Sequence, residues 1–99
     1  MARTPIHPGE ILTDELTELN IAAAELARAI KVPPNRITQI IAGKRSISAD
    51  TALRLGQFFG TSADSWLNLQ VRYDLEVAKD RGLKKIERDV RPYCEVVAA

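Results

Sequence analysis

The 99-residue sequence contains few of the side chains on which catalytic and metal sites depend. Its one cysteine, Cys94, excludes an internal disulfide and any metal site built from several cysteines. The one histidine, His7, lies at the opposite end of the chain, where we expect it to cap a helix or face solvent. Glycine-rich phosphate loops and paired carboxylates in a polar setting are also lacking. We therefore expect no enzymatic activity, no metal and no cofactor.

Long apolar runs are absent as well. No stretch approaches the roughly 18 apolar residues of a membrane span, and residues 1–10 lack the apolar segment of a signal peptide. Apolar residues make up 45% of the chain and charged residues 27%, which is typical of a folded, soluble protein. We expect one cytoplasmic domain with a modest core and no membrane association.

The net charge is only +1, but the charges are segregated along the chain. Residues 1–27 sum to −4, residues 28–45 contain five basic side chains and no acid, and residues 46–99 balance to zero. A segregated field of this kind orients a protein on a polyanion with its acidic end outward.

The basic segment coincides with a pattern of two short helices and a tight turn, in residues 23–45. Ala27 lies where the two helices approach most closely, and the apolar residues around it point inward: Leu26, Ile30, Val32, Ile37 and Ile40. This spacing is typical of a helix-turn-helix, whose second helix enters the major groove of double-stranded DNA. A plain helical hairpin with a solvated basic face is the alternative interpretation.

The second of these helices is predicted to begin near Pro33 and to stop at Gly43. Its buried side is formed by Ile37, Ile40 and Ile41, and its opposite side carries Asn35, Thr38, Gln39 and Ala42, with Arg36 beside them. Asparagine and glutamine side chains can each form two hydrogen bonds to an adenine edge. Lys44 and Arg45 follow the helix and are predicted to contact phosphate.

Further helices are predicted on both sides of this unit. The first begins at Pro8 and ends at Asn20, with an apolar face of Leu12, Leu16 and Leu19. The fourth follows an N-cap at Ser48 and ends at Gly60, and its apolar side is formed by Ala52, Leu55, Phe58 and Phe59.

The fifth helix is predicted to be the longest, from about Ala63, after an N-cap at Ser62, to Lys79, before a break at Gly82. It has two apolar stripes, one of Trp66, Leu69, Tyr73 and Val77 and the other of Leu67, Val71, Leu75 and Ala78. One stripe can complete the core, and the second needs another surface. We assign the stripe with the bulky aromatic residues to the core. Leu67, Val71 and Leu75 are then predicted to form a homodimer interface.

The segment after the fifth helix is predicted to contain one or two more helical turns with Leu83, Ile86 and Val90, and then a short strand over residues 93–97. Cys94 is expected to be packed in that strand. The segment is mildly basic, and it either folds back on its own domain or binds a partner.

Several stretches of the sequence together resemble the HigA antitoxin family. They are HPGEIL at 7–12, ELARAI at 25–30, ITQIIAGKRSIS at 37–48, DTALRLGQFFG at 50–60 and SWLNLQVRYDL at 65–75. The resemblance covers about residues 6–75, and its most specific part is WLNLQ at 66–70. This family belongs to the Xre-type regulators, which share the helix-turn-helix of phage repressors.

The resemblance implies an all-α, five-helix, lambda-repressor-like domain that acts as a homodimer on a palindromic operator. Such antitoxins neutralise a HigB toxin, a RelE-like ribonuclease that cleaves mRNA on the ribosome, and repress their own operon. By position, the implied base-facing residues are Pro34, Asn35, Arg36, Thr38 and Gln39, with Lys44 and Arg45 on phosphate. The sequence departs from the phage-repressor pattern at Ala23, where a glutamine usually contacts the DNA backbone, and at Lys31, which replaces the usual turn glycine.

The expected organisation is a flexible N-terminal arm of residues 1–6, a DNA-binding domain of residues 7–80 and a C-terminal extension of residues 81–99 that could contact a dimer mate or another partner. Two other functions remain open. One is a free-standing Xre-family or virulence-associated transcriptional regulator without a toxin. The other is a protein-binding module whose helix-turn-helix has lost DNA binding.

Overall fold

The computed structural model describes residues 4–94 and contains five α-helices in this part of the chain. They are α1 (Pro8–Leu19), α2 (Ala23–Ile30), α3 (Pro34–Ile41), α4 (Ala49–Phe59) and α5 (Ala63–Asp89). The predicted all-α, five-helix fold is confirmed. None of these helices combines the length and the apolar character that a membrane crossing requires. Residues 1–3 of the predicted N-terminal arm lie outside the described residues.

Local sequence signals set the ends of α1. Pro8 occupies the first turn, where its missing N–H has no helical partner to lose. The Nδ1 atom of His7 accepts a hydrogen bond from the Gly9 N–H at 2.9 Å, and the Glu10 carboxylate accepts one from the His7 N–H at 3.1 Å. This reciprocal pair is a capping box, so His7 is a helix cap as expected. Asn20 ends the helix in the left-handed conformation, with φ 56°.

Capping residues in the sequence also set the starts of α4 and α5 and the end of α4. The Ser48 hydroxyl accepts a hydrogen bond from the Thr51 N–H at 3.3 Å, and the Ser62 hydroxyl accepts one from the Ser65 N–H at 3.1 Å. Gly60 ends α4 with φ 71°, a conformation that glycine adopts without steric cost. The predicted caps of both helices are confirmed.

One apolar core joins the five helices. Its buried members are Leu12, Leu16, Leu26, Ala27, Ile30, Val32, Ile37, Ile40, Ile47, Ala52, Leu55 and Trp66. The inward set predicted around the helix-turn-helix is therefore confirmed. Two predicted core residues are exposed instead. Leu19 is the last residue of α1, just before the chain turns at Asn20, and Phe58 packs edge-to-face on Phe59 at the rim of the core.

The predicted end of α5 is wrong, because this helix continues through Gly82 to Asp89. A glycine inside a helix costs only about 1 kcal/mol relative to alanine, and Gly82 does not adopt the positive φ that would turn the chain. The extra turns predicted around Leu83 and Ile86 are thus part of α5 itself.

The strand predicted over residues 93–97 is not observed where the structure can be described. Tyr93 and Cys94 have helical conformation, and Cys94 is exposed rather than packed. Pro92, whose ring excludes a regular continuation of α5, separates these residues from the long helix. Residues 95–97 of the predicted strand lie outside the described residues.

The two stripes of α5 have different surroundings. In the first stripe, Trp66 is buried, and Leu69, Tyr73 and Val77 are partly buried. The Tyr73 ring packs edge-to-face on the His7 ring with 4.7 Å between centroids. In the second stripe, Leu67 is partly buried while Val71 and Leu75 are each 54% exposed. We call Leu67, Val71 and Leu75 the α5 seam.

Candidate nucleic-acid interface

The turn between α2 and α3 has the tight geometry that a helix-turn-helix requires. Lys31 adopts the left-handed conformation, with φ 62° and ψ 48°, and its N–H is bonded to α2 carbonyl oxygens. Lys31 stands where the family pattern usually has a glycine, and a side chain is less favourable than glycine in this conformation. Ala27 is fully buried, so that the helices can approach closely. α2 begins at Ala23, and its N-cap residue forms no side-chain hydrogen bond.

The α3 helix presents a polar side to solvent. Pro34, Asn35, Thr38 and Gln39 are exposed, whereas Ile37 and Ile40 are fully buried. We call these four exposed residues the recognition face. The helical rotation inferred from the sequence is therefore correct, and these four side chains are accessible to solvent.

Arg36 differs from the other predicted base-facing residues because it is partly buried. Its Nη1 atom donates a hydrogen bond to Oδ2 of Asp50 in α4, at 3.0 Å. The side chain retains 29% of its accessible surface, which places it at the edge of the recognition face. An acid partner for Arg36 was not expected from the sequence.

Lys44 and Arg45 extend the basic surface beyond α3. Gly43 turns the chain with φ 75°, and both basic residues are exposed. The Arg45 Nη1 atom donates a hydrogen bond to the side-chain oxygen of Gln39 at 3.3 Å. The structure thus brings a predicted phosphate-contacting residue next to a predicted base-facing one.

Most basic residues of the segment 28–45 have no acidic partner in the described part of the chain. Among the ion pairs of residues 4–94, Arg36 is the one basic residue of the segment 28–45 that has an acidic partner. The remaining four, Arg28, Lys31, Lys44 and Arg45, are exposed. These cations lie in α2, in the turn before α3 and directly after α3, and exposed basic residues of this kind suit a polyanionic ligand.

Two α4 residues of this region were missed by the sequence interpretation. Arg54 donates from Nε to Oδ2 of Asp50 at 2.9 Å and from Nη1 to the carbonyl oxygen of Ile30 at 2.8 Å. Hydrogen bonds from Arg54 and Arg36 lower the pKa of Asp50, and the bond from Arg54 has the larger effect. The spacing of four residues between Asp50 and Arg54 was an available signal for their ion pair.

Gln70 is a third residue that was missed. It is buried in α5, its side-chain oxygen accepts a hydrogen bond from the Ile47 N–H at 2.8 Å, and its Nε2 atom donates one to Asp74 at 2.9 Å. The loop between α3 and α4, which carries Lys44 and Arg45, is therefore fastened to α5. The signal in the sequence was a polar residue on the inward side of α5.

Comparison with known proteins identifies relatives of this fold. The helix-turn-helix family HTH_3 matches residues 13–66, more than half of the chain. An addiction module antidote protein of the HigA family from Coxiella burnetii is 53% identical, with a TM-score of 0.90 over 92% of this chain and 100% of that chain. The Pseudomonas aeruginosa antitoxin HigA, solved with the higBA promoter, is 50% identical, with a TM-score of 0.87 over 90% of this chain and 98% of that chain. Virulence-associated protein I of Dichelobacter nodosus is 52% identical over 75 residues, which are 75% of this chain and 69% of that protein.

The five helices, the tight turn after α2 and the exposed polar side of α3 define a helix-turn-helix protein of the Xre type. Within that class, the chain belongs to the HigA family.

Proposed function

We propose that this chain is a HigA-type antitoxin that represses its own operon as a DNA-bound homodimer and neutralises a RelE-like, mRNA-cleaving toxin. The observation that carries the proposal is the exposed recognition face of α3, together with the exposed and largely unpaired basic residues of the segment 28–45. Membership of the HigA family supports the same conclusion, since the Pseudomonas relative was solved with promoter DNA.

In the proposed complex, α3 lies in the major groove and the two kinds of contact have separate roles. Asn35 and Gln39 read base edges, where their amides can form paired hydrogen bonds to adenine. Lys44 and Arg45 contact phosphate, which adds affinity for any sequence and fixes the position of the helix. Arg36 contributes a guanidinium at the edge of the face.

The proposed dimer is formed through the α5 seam. Val71 and Leu75 are half exposed on the monomer, and pairing them across a two-fold axis would remove this apolar surface from water. Two recognition helices related by that axis would read half-sites about 34–36 Å apart, one turn of DNA, on a palindrome.

A salt titration tests DNA binding. We expect the affinity of the wild-type chain for a duplex taken from upstream of its own coding sequence to fall linearly on logarithmic axes as salt rises. Replacing Lys44 and Arg45 by alanine should flatten that slope by about one unit for each lost phosphate contact. The matched control is Lys84→Ala with Lys85→Ala, which removes the same charge from the far end of α5. Binding that is absent or insensitive to salt would instead favour a protein-binding module.

The toxin half of the proposal needs its own experiment. Co-expression of this chain with a neighbouring gene for a small RelE-like protein should restore growth and yield a co-purified complex. A second candidate is a free-standing regulator that uses the same recognition face. It is favoured by the similarity to the HTH-type transcriptional regulator YddM of Escherichia coli, which is 35% identical over 79 residues. Operator binding without rescue of growth by this chain would support that candidate.

A further inference from the structure

We propose that Asp50 and Arg54 are positioning residues that hold Arg36 in the orientation used for DNA recognition. This inference rests on the proposed function and adds to it a specificity-determining network. Three side chains form a continuous chain of hydrogen bonds from the end of α2, through α4, to the first turn of α3.

Arg54 anchors the network to the turn of the helix-turn-helix. Its Nη1 atom donates to the carbonyl oxygen of Ile30 at 2.8 Å and approaches that of Lys31 at 3.4 Å. These carbonyls belong to the end of α2, where no intrahelical N–H is available to them and where a cation is favoured by the helix dipole. Backbone carbonyl oxygens therefore hold the Arg54 guanidinium in place independently of its bond to Asp50.

Asp50 transmits this fixed position to α3. Its Oδ2 atom accepts hydrogen bonds from Nε of Arg54 at 2.9 Å and from Nη1 of Arg36 at 3.0 Å. An ionised carboxylate only accepts hydrogen bonds, so one Asp50 oxygen can bind both guanidinium groups. Asp50 also lies in the first turn of α4, where the helix dipole stabilises a negative charge.

The consequence for Arg36 is preorganisation. A free arginine side chain has many rotamers, and restricting them before binding lowers the entropic cost of contacting a ligand. The bond to Asp50 uses one of the five guanidinium N–H donors, which leaves an edge for a pair of acceptors on DNA. Such acceptors occur on a guanine edge and on a phosphate group.

Positioning by this network and simple electrostatics predict different effects of an Asp50 substitution on DNA binding. Neutralising Asp50 removes a negative charge of the protein that repels the DNA polyanion, and by electrostatics alone it should raise the affinity for any DNA. Loss of positioning should instead lower the ratio of operator affinity to scrambled-DNA affinity, and only while Arg36 is present. The ratio, rather than either affinity, is therefore the quantity to measure.

A double-mutant cycle provides the test. The probes are a duplex that the wild-type chain selects from a library randomised over about 20 base pairs, enough for two half-sites one turn apart, and a scrambled duplex. We expect Arg36→Ala to reduce the affinity ratio by roughly 5- to 100-fold if Arg36 reads a guanine. Asp50→Asn, which keeps the shape of the side chain, should reduce the ratio several-fold. In the Arg36→Ala background, Asp50→Asn should have no further effect on it.

Arg54→Lys is the second variant, because lysine keeps the charge but lacks the planar fork that bridges Asp50 and Ile30. It should lower the affinity ratio in the same Arg36-dependent manner, while Gln57→Ala on the exposed side of α4 should not. An equal effect of Asp50→Asn in both backgrounds would show a merely structural role and overturn the inference. A uniform loss on both duplexes in Arg36→Ala would place Arg36 on phosphate and remove it from specificity. Failure of the wild-type chain to enrich any duplex would contradict the proposed function itself.

Discussion

The backbone of Gly9 in α1 lies directly against the carbonyl group of Ile40 in α3. A Cβ atom built on Gly9 would overlap the Ile40 carbonyl oxygen and crowd Ile41. Backbone atoms cannot move aside as the end of a flexible side chain can. Gly9 therefore sets the distance between α1 and the proposed recognition helix.

Gly9→Ala should destabilise the fold, because the added methyl group must push α1 and α3 apart. Overpacking of this kind costs roughly 1–3 kcal/mol, sometimes more. The matched control is Gly82→Ala in α5, where a Cβ atom meets nothing within 4 Å. That substitution should stabilise the protein by about 0.5–1 kcal/mol through helix propensity. Urea denaturation of both variants would decide, and similar shifts in both would contradict the close contact at Gly9.

The parts of this fold that could be predicted are those that depend on neighbouring residues in the sequence. The ends of α1 and α4 follow from Pro8, Ser48 and Gly60, because a cap acts within one turn of its own helix. The buried side of α3 follows from helical periodicity. Gly82 was misleading because a glycine ends a helix only where the chain turns. The residues next to Gly82 do not indicate whether the chain turns there or continues as a helix.

Most of the missed features are contacts between residues distant in sequence, and the ion pair between Asp50 and Arg54, four residues apart, is an exception. The hydrogen bond between Arg54 and Ile30 joins residues 24 positions apart in the sequence, and the one between Gln70 and Ile47 joins residues 23 positions apart. Periodicity shows which side of a helix faces inward, but it does not show which backbone group lies opposite. The partner of Arg36 was missed for the same reason, since Asp50 lies on another helix.

Gln70→Leu should destabilise the protein even though leucine has a similar volume and greater apolar character. The substitution leaves the buried Ile47 N–H without its acceptor, and such a loss costs roughly 1–3 kcal/mol. Gln57→Leu is the control, because Gln57 is an exposed glutamine of α4. We expect faster hydrogen exchange of the Ile47 amide and weaker operator binding, since the loop with Lys44 and Arg45 loses its attachment. Unchanged exchange at Ile47 would show that Gln70 does not hold the loop.

Substitutions on the recognition face should separate base reading from positioning. Asn35→Ala and Gln39→Ala should each cost roughly 1–3 kcal/mol at the operator and leave non-specific affinity nearly unchanged. Asn68→Ala, on an exposed side of α5, is the matched control. Anisotropy titrations on operator and scrambled DNA provide both affinities. Equal losses on the two duplexes would mean that these residues position the protein rather than read sequence.

The contact between Arg45 and Gln39 refines that experiment. Since Arg45 donates a hydrogen bond to the side-chain oxygen of Gln39 at 3.3 Å, Arg45→Ala should cost some specificity as well as phosphate affinity. Lys44→Ala removes the same charge from the neighbouring position without touching Gln39. We therefore expect the operator-to-scrambled affinity ratio to fall in the first variant and to stay constant in the second.

Val71→Asp should break the proposed dimer at the α5 seam. In a closed interface the new carboxylate would be buried without a partner, a penalty of several kcal/mol that is relieved when the protomers separate. Leu53→Asp is the matched control, because Leu53 of α4 is 65% exposed and lies outside the seam. Sedimentation and circular dichroism on one preparation should show a helical monomer for Val71→Asp and an unchanged dimer for the control.

The same variant should lose operator affinity, because two linked half-sites become independent when the protomers separate. Its affinity for a single half-site should remain that of the wild-type chain, since α3 and its basic surroundings are untouched. A Val71→Asp protein that stays dimeric and binds the operator normally would remove the seam from the interface. Loss of helical signal would instead assign Val71 to the core, against its 54% exposure on the monomer.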